Sequence, residues 1–480
     1  MQSGVRSLSQ VLAVTIAATA LLASPSRAEG DSTAAAAPAG LAERATSPAA
    51  TGPARWSLAR CVETALRMNG DVRGAAARTT QARGGALGAW RNVLPTISAD
   101  AGYNRTIPDE RSAQVLVPDV TNPGTFNDGF VSRSDRRSIS ASLNTNIIDL
   151  SAWSQKHRQD HLRSRAEDSE AETRNDVVFR VKQQYFSCVK AVQLADVAVD
   201  SERLARDEEA RSEALFEVGS VARGDVLKAR ARRASTQLSR IQAQNQVEIQ
   251  RQRLKRVIGL EGPVSIAVET EMEGAVPLPD SASVVGQALR ARPILASVAA
   301  AERAARSGLF SARMARAPRL TGSVNVDRSN SEDRIEFYDN IADLQDERYQ
   351  TTWFGGLRLS VPIFDGLALE GDMRSAKGAV LEAEAFRRQQ ELDVVFEAKE
   401  AWLLLKEAIE RIGVAREAVA SAEEDHKFSK SRYELGAGTY LDLLNAEVGL
   451  EEARQQLVEA LADARVAEAA LERAIGERRY

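Results

Sequence analysis

Two aspartates stand in matching surroundings. Asp225 lies six residues after Gly219 in LFEVGSVARGDVLKARA (215–231), and Asp442 lies six after Gly436 in RYELGAGTYLDLLNAEV (432–448). A carboxylate just past a Gly-centred turn can accept hydrogen bonds from the free N–H groups that open a helix. For Asp225 that capping role is as good an account as any functional one. If several copies of the chain surround an axis, Asp442 can also repeat as a ring of negative charge that favours cations and gates a narrow mouth. Gly219, Gly436 and Gly438 are expected to take the positive φ of a helix C-terminus.

Other reactive residue types are sparse. Of three histidines, His157 and His161 are four apart on one helix face, but HRQDH lacks the glutamate of HExxH and no third ligand lies near. A solvated or interfacial pair is the preferred reading, with no metal site. There is no nucleophile elbow, P-loop or dinucleotide fingerprint, so neither enzyme activity nor a cofactor is expected. Cys61 and Cys188 read as small core residues, with a disulfide left open because an exported chain permits one.

The 63 basic residues nearly balance the 67 acidic ones, and no basic stripe with interleaved aromatics occurs, so no nucleic-acid partner is expected. Residues 1–28 have an early arginine, an apolar stretch from 11 to 23 and a Ser-Arg-Ala ending, the pattern of a secretory signal peptide. The Ala/Pro-rich residues 29–54 read as a disordered leader.

The elements that must position the two aspartates come in a tandem unit. Ala65-Leu66 and Pro95 recur 223 residues later as Ala288-Leu289 and Pro318. Gly219, Asp225 and Gly259 recur 217 residues later as Gly436, Asp442 and Gly476. The first repeat spans 55–262, with strands near 96–105 and 138–148 and a helical hairpin at 151–259. An equatorial connector covers 263–280. The second repeat spans 281–477, with strands near 319–327 and 352–364 and a hairpin at 366–476. No proline falls between Pro123 and Pro263 or after Pro362, which leaves both hairpins free to be helical. Apolar residues recur at three- and four-residue steps (Val178, Val181, Tyr185, Cys188, Val192, Ala195, Val199; Val395, Ala398, Trp402, Leu405, Ile409, Ile412), as in a coiled-coil seam. Segments 60–93 and 281–316 supply shorter flanking helices. Residues 105–137 and 328–351 read as surface loops.

The four strand segments are apolar on one face only, as membrane-barrel strands are. Four strands cannot close a barrel, and lipid tolerates no open sheet edge. Three chains would pool about twelve strands, within the range of known barrels. The expected fold is therefore mainly α with a small β part, trimerising into a 12-stranded barrel continued by an α-helical tunnel. A soluble periplasmic coiled-coil adaptor is the rival.

With SVPIFDG and NIIDLSAW at the strand ends, and FEVGSVARGDV and RYELGAGTYLDLL at the turns, the chain resembles the TolC-type outer-membrane channels of drug efflux and type I secretion. The resemblance runs from about Trp56 to Gly476. It implies a homotrimer in the outer membrane of a Gram-negative bacterium, in contact with outer-membrane lipid and extending into the periplasm. It also implies docking at the helix tips to a periplasmic adaptor (a membrane fusion protein) and, through it, to an inner-membrane pump of the RND, ABC or MFS type. Tyr433 matches the family's gate tyrosine, Asp442 the first constriction aspartate, and Asp225 the first-hairpin aspartate that links to that tyrosine. Gly438 stands where the best-known member has a gate arginine, and Asn445 where it has a second aspartate, so the closing network implied for this chain is thinner.

Overall fold

The proline-free, Ala- and Glu-rich stretches become the longest elements. In the computed structural model α3 (Leu150–Glu217) and α7 (Ala368–Glu434) have 68 and 67 residues. At about 1.5 Å per residue each is roughly 100 Å long. α4 (Arg223–Ile258) and α8 (Tyr440–Ile475) return alongside them. The structure describes residues 54–106, 117–118, 126–127, 130–262, 266–270, 272, 277–337 and 344–476. The expected signal peptide and all of the leader but Ala54 lie outside them, as does part of the connector. The described residues belong to one compact unit, Pro53–Tyr480.

Each flanking segment is two helices, where the sequence suggests one. α1 (Leu58–Met68) and α2 (Gly70–Gly88) meet at Asn69; α5 (Ser281–Ala291) and α6 (Pro293–Met314) meet at Arg292. Asn69 ends one helix and caps the next. Its Oδ1 accepts from the Asp71 N–H at 2.8 Å while its Nδ2 donates to the Val257 carbonyl at 2.7 Å. At the second break Pro293 opens α6, where its missing N–H costs nothing. The glycines that end α4 and α8 lie over these breaks. Gly259 (φ +82°) and Gly476 (φ +72°) are left-handed, and a Cβ on either would sit 2.9 Å from a backbone carbonyl oxygen, of Met68 and Ala291 respectively. Arg292 is buried between the repeats, bonded to Glu172 of α3 at 2.8 Å and Glu397 of α7 at 2.7 Å.

The helices stand in four columns. α3 packs against α2 and α4 on one side and α6 and α8 on the other; α7 packs against α6 and α8. The column of α2 and α4 and the helix α7 therefore form the two outer flanks. Because α3 is gripped from two sides, its buried surface is broader than one seam. Ala191, Ala195, Ala198 and Ala205 are buried, whereas Val199 of the expected seam is exposed. In α7 the buried stripe is Val394, Ala398, Ala401, Leu405 and Ala408, with Val395, Trp402 and Ile409 only half-buried. Two larger cores lie near the helix breaks, one around Cys61, Val181, Tyr185, Cys188 and Leu254, the other around Val284, Ala398, Leu405 and Leu471. Beside the first, β1 (Ala54–Trp56) pairs in parallel with β6 (Ile266–Val268).

Next to this helical body is a four-stranded antiparallel sheet in the order β2 (Thr96–Thr106), β5 (Phe130–Ile148), β7 (Arg319–Phe337) and β8 (Leu344–Ser360). A small ribbon pairs β3 (Val117–Pro118) with β4 (Phe126–Asn127). Much of 130–137 and 328–351 is thus strand rather than loop, because pairing of Phe130 with Phe337 and Ile335 with Leu344 carries the ladders past the apolar stretches. Conversely β8 stops at Ser360, short of the expected 364, since Pro362 has no N–H to donate. The register aligns one apolar face: Ile97 faces Leu143, which faces Val324, while Ala99, Ala141, Val326 and Trp353 form the next row. That face is bare, with Ile97 80% and Leu357 72% exposed.

Both cysteines are buried free thiols. Burial pushes the Cys61 thiol up to about 12 and the Cys188 thiol up to about 11. Both are then protonated across neutral pH, and a maleimide at pH 7.5 is expected to label neither until the protein unfolds; rapid labelling of native protein, followed by mass spectrometry, contradicts that. Gly259→Ala and Gly476→Ala combine left-handed strain with a backbone collision and are expected to cost about 2 kcal/mol or more, against about 1 kcal/mol for Gly219→Ala, where the space is open. Thermal unfolding of detergent-solubilised protein gives that ranking.

Candidate functional site

The two hairpin turns are the same motif. At the first, the Gly219 N–H donates to the Phe216 carbonyl at 2.9 Å and the Ser220 N–H to Leu215 at 2.8 Å. At the second, Gly436 donates to Tyr433 at 3.0 Å and Ala437 to Arg432 at 2.9 Å. This is the Schellman pattern, and it needs a left-handed residue after the helix end. Gly219 (φ +77°) and Gly436 (φ +69°) provide it. Gly438 does not, contrary to expectation: its φ is not positive. It is held instead by close approach, since a Cβ there would lie 3.1 Å from Arg432 Cβ and 3.3 Å from the Tyr433 nitrogen.

The turns part company at the next helix. Asp225 and Asp442 each stand three residues after the N-cap, but the caps differ. Thr439 and Asp442 form a reciprocal capping box: the Thr439 N–H donates to the carboxylate at 3.1 Å, its hydroxyl meets the same carboxylate at 2.8 Å, and the Asp442 N–H donates to that hydroxyl at 3.2 Å. The Thr439 backbone and side-chain bonds, with Arg432 nearby, hold the Asp442 carboxyl below its usual range. In the first turn the N-cap is Ala222, which has nothing to offer, and Asp225 pairs with Lys228 at 3.4 Å. Asn445 is exposed, one turn beyond exposed Asp442 on the same helix face.

Tyr433 turns inward. Its ring meets Tyr440 edge-on, centroids 5.8 Å apart. Its hydroxyl lies by the buried Ser212 hydroxyl of α3, short of a well-formed hydrogen bond. Burial first, with Asp225 and Glu208 adding, raises its phenol. Asp225 is thus near enough to be felt by Tyr433 within one chain without bonding to it. Ion pairs tie the hairpins together here: Arg211 to Glu434 at 2.7 Å and Arg232 to Glu451 at 2.7 Å. At the outermost points Val218 and Leu435 are 73% and 84% exposed.

Sequence reading passed over Glu208, Ser212, Tyr440 and Glu447. Glu208 is a buried carboxylate near the tip, and one of its oxygens has no partner among the described residues. A hint was available: Glu202, Glu208 and Glu209 fall among the inward positions of α3, where only paired carboxylates belong. His157 packs against the Trp153 ring and lies 3.9 Å from Asp160. Among the described residues no three His, Cys, Asp or Glu side chains are grouped to hold a metal ion.

The profile of the outer membrane efflux protein family matches residues 61–260 and 284–477, one segment in each repeat. The chain is 23% identical to outer membrane protein TolC of Escherichia coli K12 over 356 residues, 72% of this chain and 70% of that one. It is 32% identical to the alkaline protease secretion protein AprF of Pseudomonas aeruginosa over 166 residues, 34% of each. In fold it resembles the CmeC outer membrane channel of Campylobacter jejuni (TM-score 0.70, 19% identity, covering 87% of this chain and 85% of that one). It also resembles the open state of the MtrE outer membrane channel of Neisseria gonorrhoeae (TM-score 0.67, 17% identity, 87% and 88%).

Thr439→Ala is expected to loosen the second turn alone. Loss of the cap should speed amide exchange over residues 440–443 roughly fivefold, the equivalent of a typical N-cap, and leave residues 223–226 unchanged. Equal acceleration in both turns would rule out a local cap.

Proposed function

The chain belongs to the outer membrane efflux protein family, and from that premise we propose that it is the outer-membrane exit duct of an efflux pump or type I secretion system. One observation carries the reading most directly: among the described residues the sheet has an apolar face with no covering element and two open edges, β2 and β8. In lipid, unpaired backbone groups cost several kcal/mol each, so an open edge must find a partner strand. β8 of one copy beside β2 of the next satisfies both edges, and three copies close about twelve strands.

The helices support the same assembly. Its outer flanks carry exposed apolar residues: Leu227, Leu238, Ile241 and Ile249 on α4, and Leu392, Phe396, Leu403 and Val414 on α7. Packed α4 to α7 around a threefold axis, these residues leave water and the helical columns close into a tunnel. Asp442 and Asn445 then ring the periplasmic mouth, with Tyr433 behind them and Asp225 on the neighbouring turn. Exposed Val218 and Leu435 at the tips suit a periplasmic adaptor, through which an inner-membrane RND, ABC or MFS pump would deliver cargo. Transport through the duct is passive.

In membranes from expressing cells, the protein is expected in the outer-membrane fraction as a heat-sensitive trimer, and Phe396→Glu, which places charge on the flank, should shift it toward monomer. Recovery from the periplasm as a stable monomer would instead favour a soluble adaptor. In planar bilayers Asp442→Asn should lower cation over anion preference severalfold; unchanged selectivity removes Asp442 from the mouth.

A further inference from the structure

Directly behind the second turn, α3, α4, α7 and α8 enclose a polar node that is badly matched. There the buried Glu208 Oε2 and Arg232 Nε have no hydrogen-bond partner among the described residues, and the Ser212 and Tyr433 hydroxyls meet without a well-formed bond. Unsatisfied buried groups are rare in native proteins, and several at one place mark an arrangement under tension. Half-buried Glu447 of α8 faces this node and, among the described residues, has no hydrogen bond or ion pair of its own. Two cations face it, but each is engaged elsewhere: Arg232 of α4 with Glu451 at 2.7 Å, and Lys430 of α7 with Glu208 at 3.9 Å. The Glu208 carboxylate of α3 and Glu451 of α8 act on Glu447 through their charge, and its charge is felt by Tyr440, whose ring meets Tyr433 of α7 edge-on.

We propose that Glu447 is a proton-operated latch for the tip: protonated, it lets the four helices close around it; ionised, it is repelled by Glu208 and Glu451 and loosens α8 from α3 and α7. The reaction is a simple exchange of the carboxyl proton with water. Its consequence for a mouth rests on the duct reading; its existence does not.

The direction follows from the closed arrangement. Burial, then Glu208, pushes the Glu447 carboxyl up to about 7 from an ordinary value of 4.5. A loosened tip hydrates the group and returns it toward that ordinary value. Below about pH 4.5 both arrangements hold the proton and neither is favoured by it. As pH rises from there through about 7 the closed arrangement loses stability, and above 7 the penalty is complete. Neighbouring groups act elsewhere. Asp442 is held below its usual range by Thr439. His426, one turn above Lys430, is lowered from 6.5 by burial and then by Lys430 and Arg454, and so titrates on the acid side.

The test uses the full chain in planar bilayers between pH 5.5 and 8.5, with amide exchange over residues 430–447 measured in detergent on the same preparations and corrected for intrinsic pH dependence. Open probability is expected to rise at least about tenfold with a midpoint near 7, a shift of one pKa unit being a tenfold change. Glu447→Gln, which mimics the protonated acid, should stay at the acid level throughout, while His426→Gln keeps the midpoint. Exchange over 430–447 should follow the same pattern. A flat wild-type profile, or a Glu447→Gln profile with the wild-type midpoint, overturns the latch. If no pores form, the duct reading fails and exchange alone decides: pH-dependent loosening abolished by Glu447→Gln upholds the latch, and its absence overturns it.

Discussion

An open sheet edge governs this structure. β2 and β8 each present a row of N–H and C=O groups with no partner strand among the described residues, and in hydrocarbon no water is available to satisfy them. The helical body is open in the same sense, with α4 and α7 as bare apolar flanks. In the proposed assembly, closing the sheet and closing the helical wall would be met by one operation, the addition of further copies around an axis. The four-strand, four-column arrangement follows from duplication of a unit that contributes two of each.

Away from the two larger cores, small and charged residues take up much of the interior of the wall. Alanine is the commonest buried residue type of α3, α7 and α8, which lets each long helix lie close to the shorter helices packed along it. Buried carboxylates then need cations. Glu209 has Arg230 and Arg233, Glu302 has Arg387 at 2.9 Å, and Glu172 has Arg292. Removing one member of such a pair leaves an uncompensated charge, which is more damaging than the pair is stabilising. These contacts fix how the columns are aligned along their length. Half-buried Glu447 has no such partner among the described residues, and it lies beside the turn on which gating would depend.

The two halves are alike in backbone and unlike in side chains where it matters. Both turns use the same left-handed glycine and the same two carbonyl bonds, and both helix breaks are covered by a left-handed glycine. Yet Ala222 stands where Thr439 completes a capping box, and Asn69 stands where Arg292 bridges two long helices. Duplication supplied the frame, and the second copy carries the tighter cap and the acidic residue at the exposed face.

Proline placement, the 217-residue recurrence of Gly219, Asp225 and Gly259, and the one-sided apolar strands determine the hairpins, the turns and the strands, because each rests on local backbone chemistry or periodicity. Only tertiary structure decides the rest. The breaks at Asn69 and Arg292 exist because Gly259 and Gly476 pack onto them from far along the chain. The ladders run beyond the apolar stretches because backbone pairing does not require apolar side chains. Gly438 is constrained by the Tyr433 backbone rather than by its own φ. Whether Asp225, Asp442 and Glu447 are capped, paired or stranded depends on Lys228, Thr439 and Glu208. Two of these are near in sequence, but which of them bonds is set by three-dimensional placement, and a carboxylate's behaviour follows its surroundings rather than its position in a repeat.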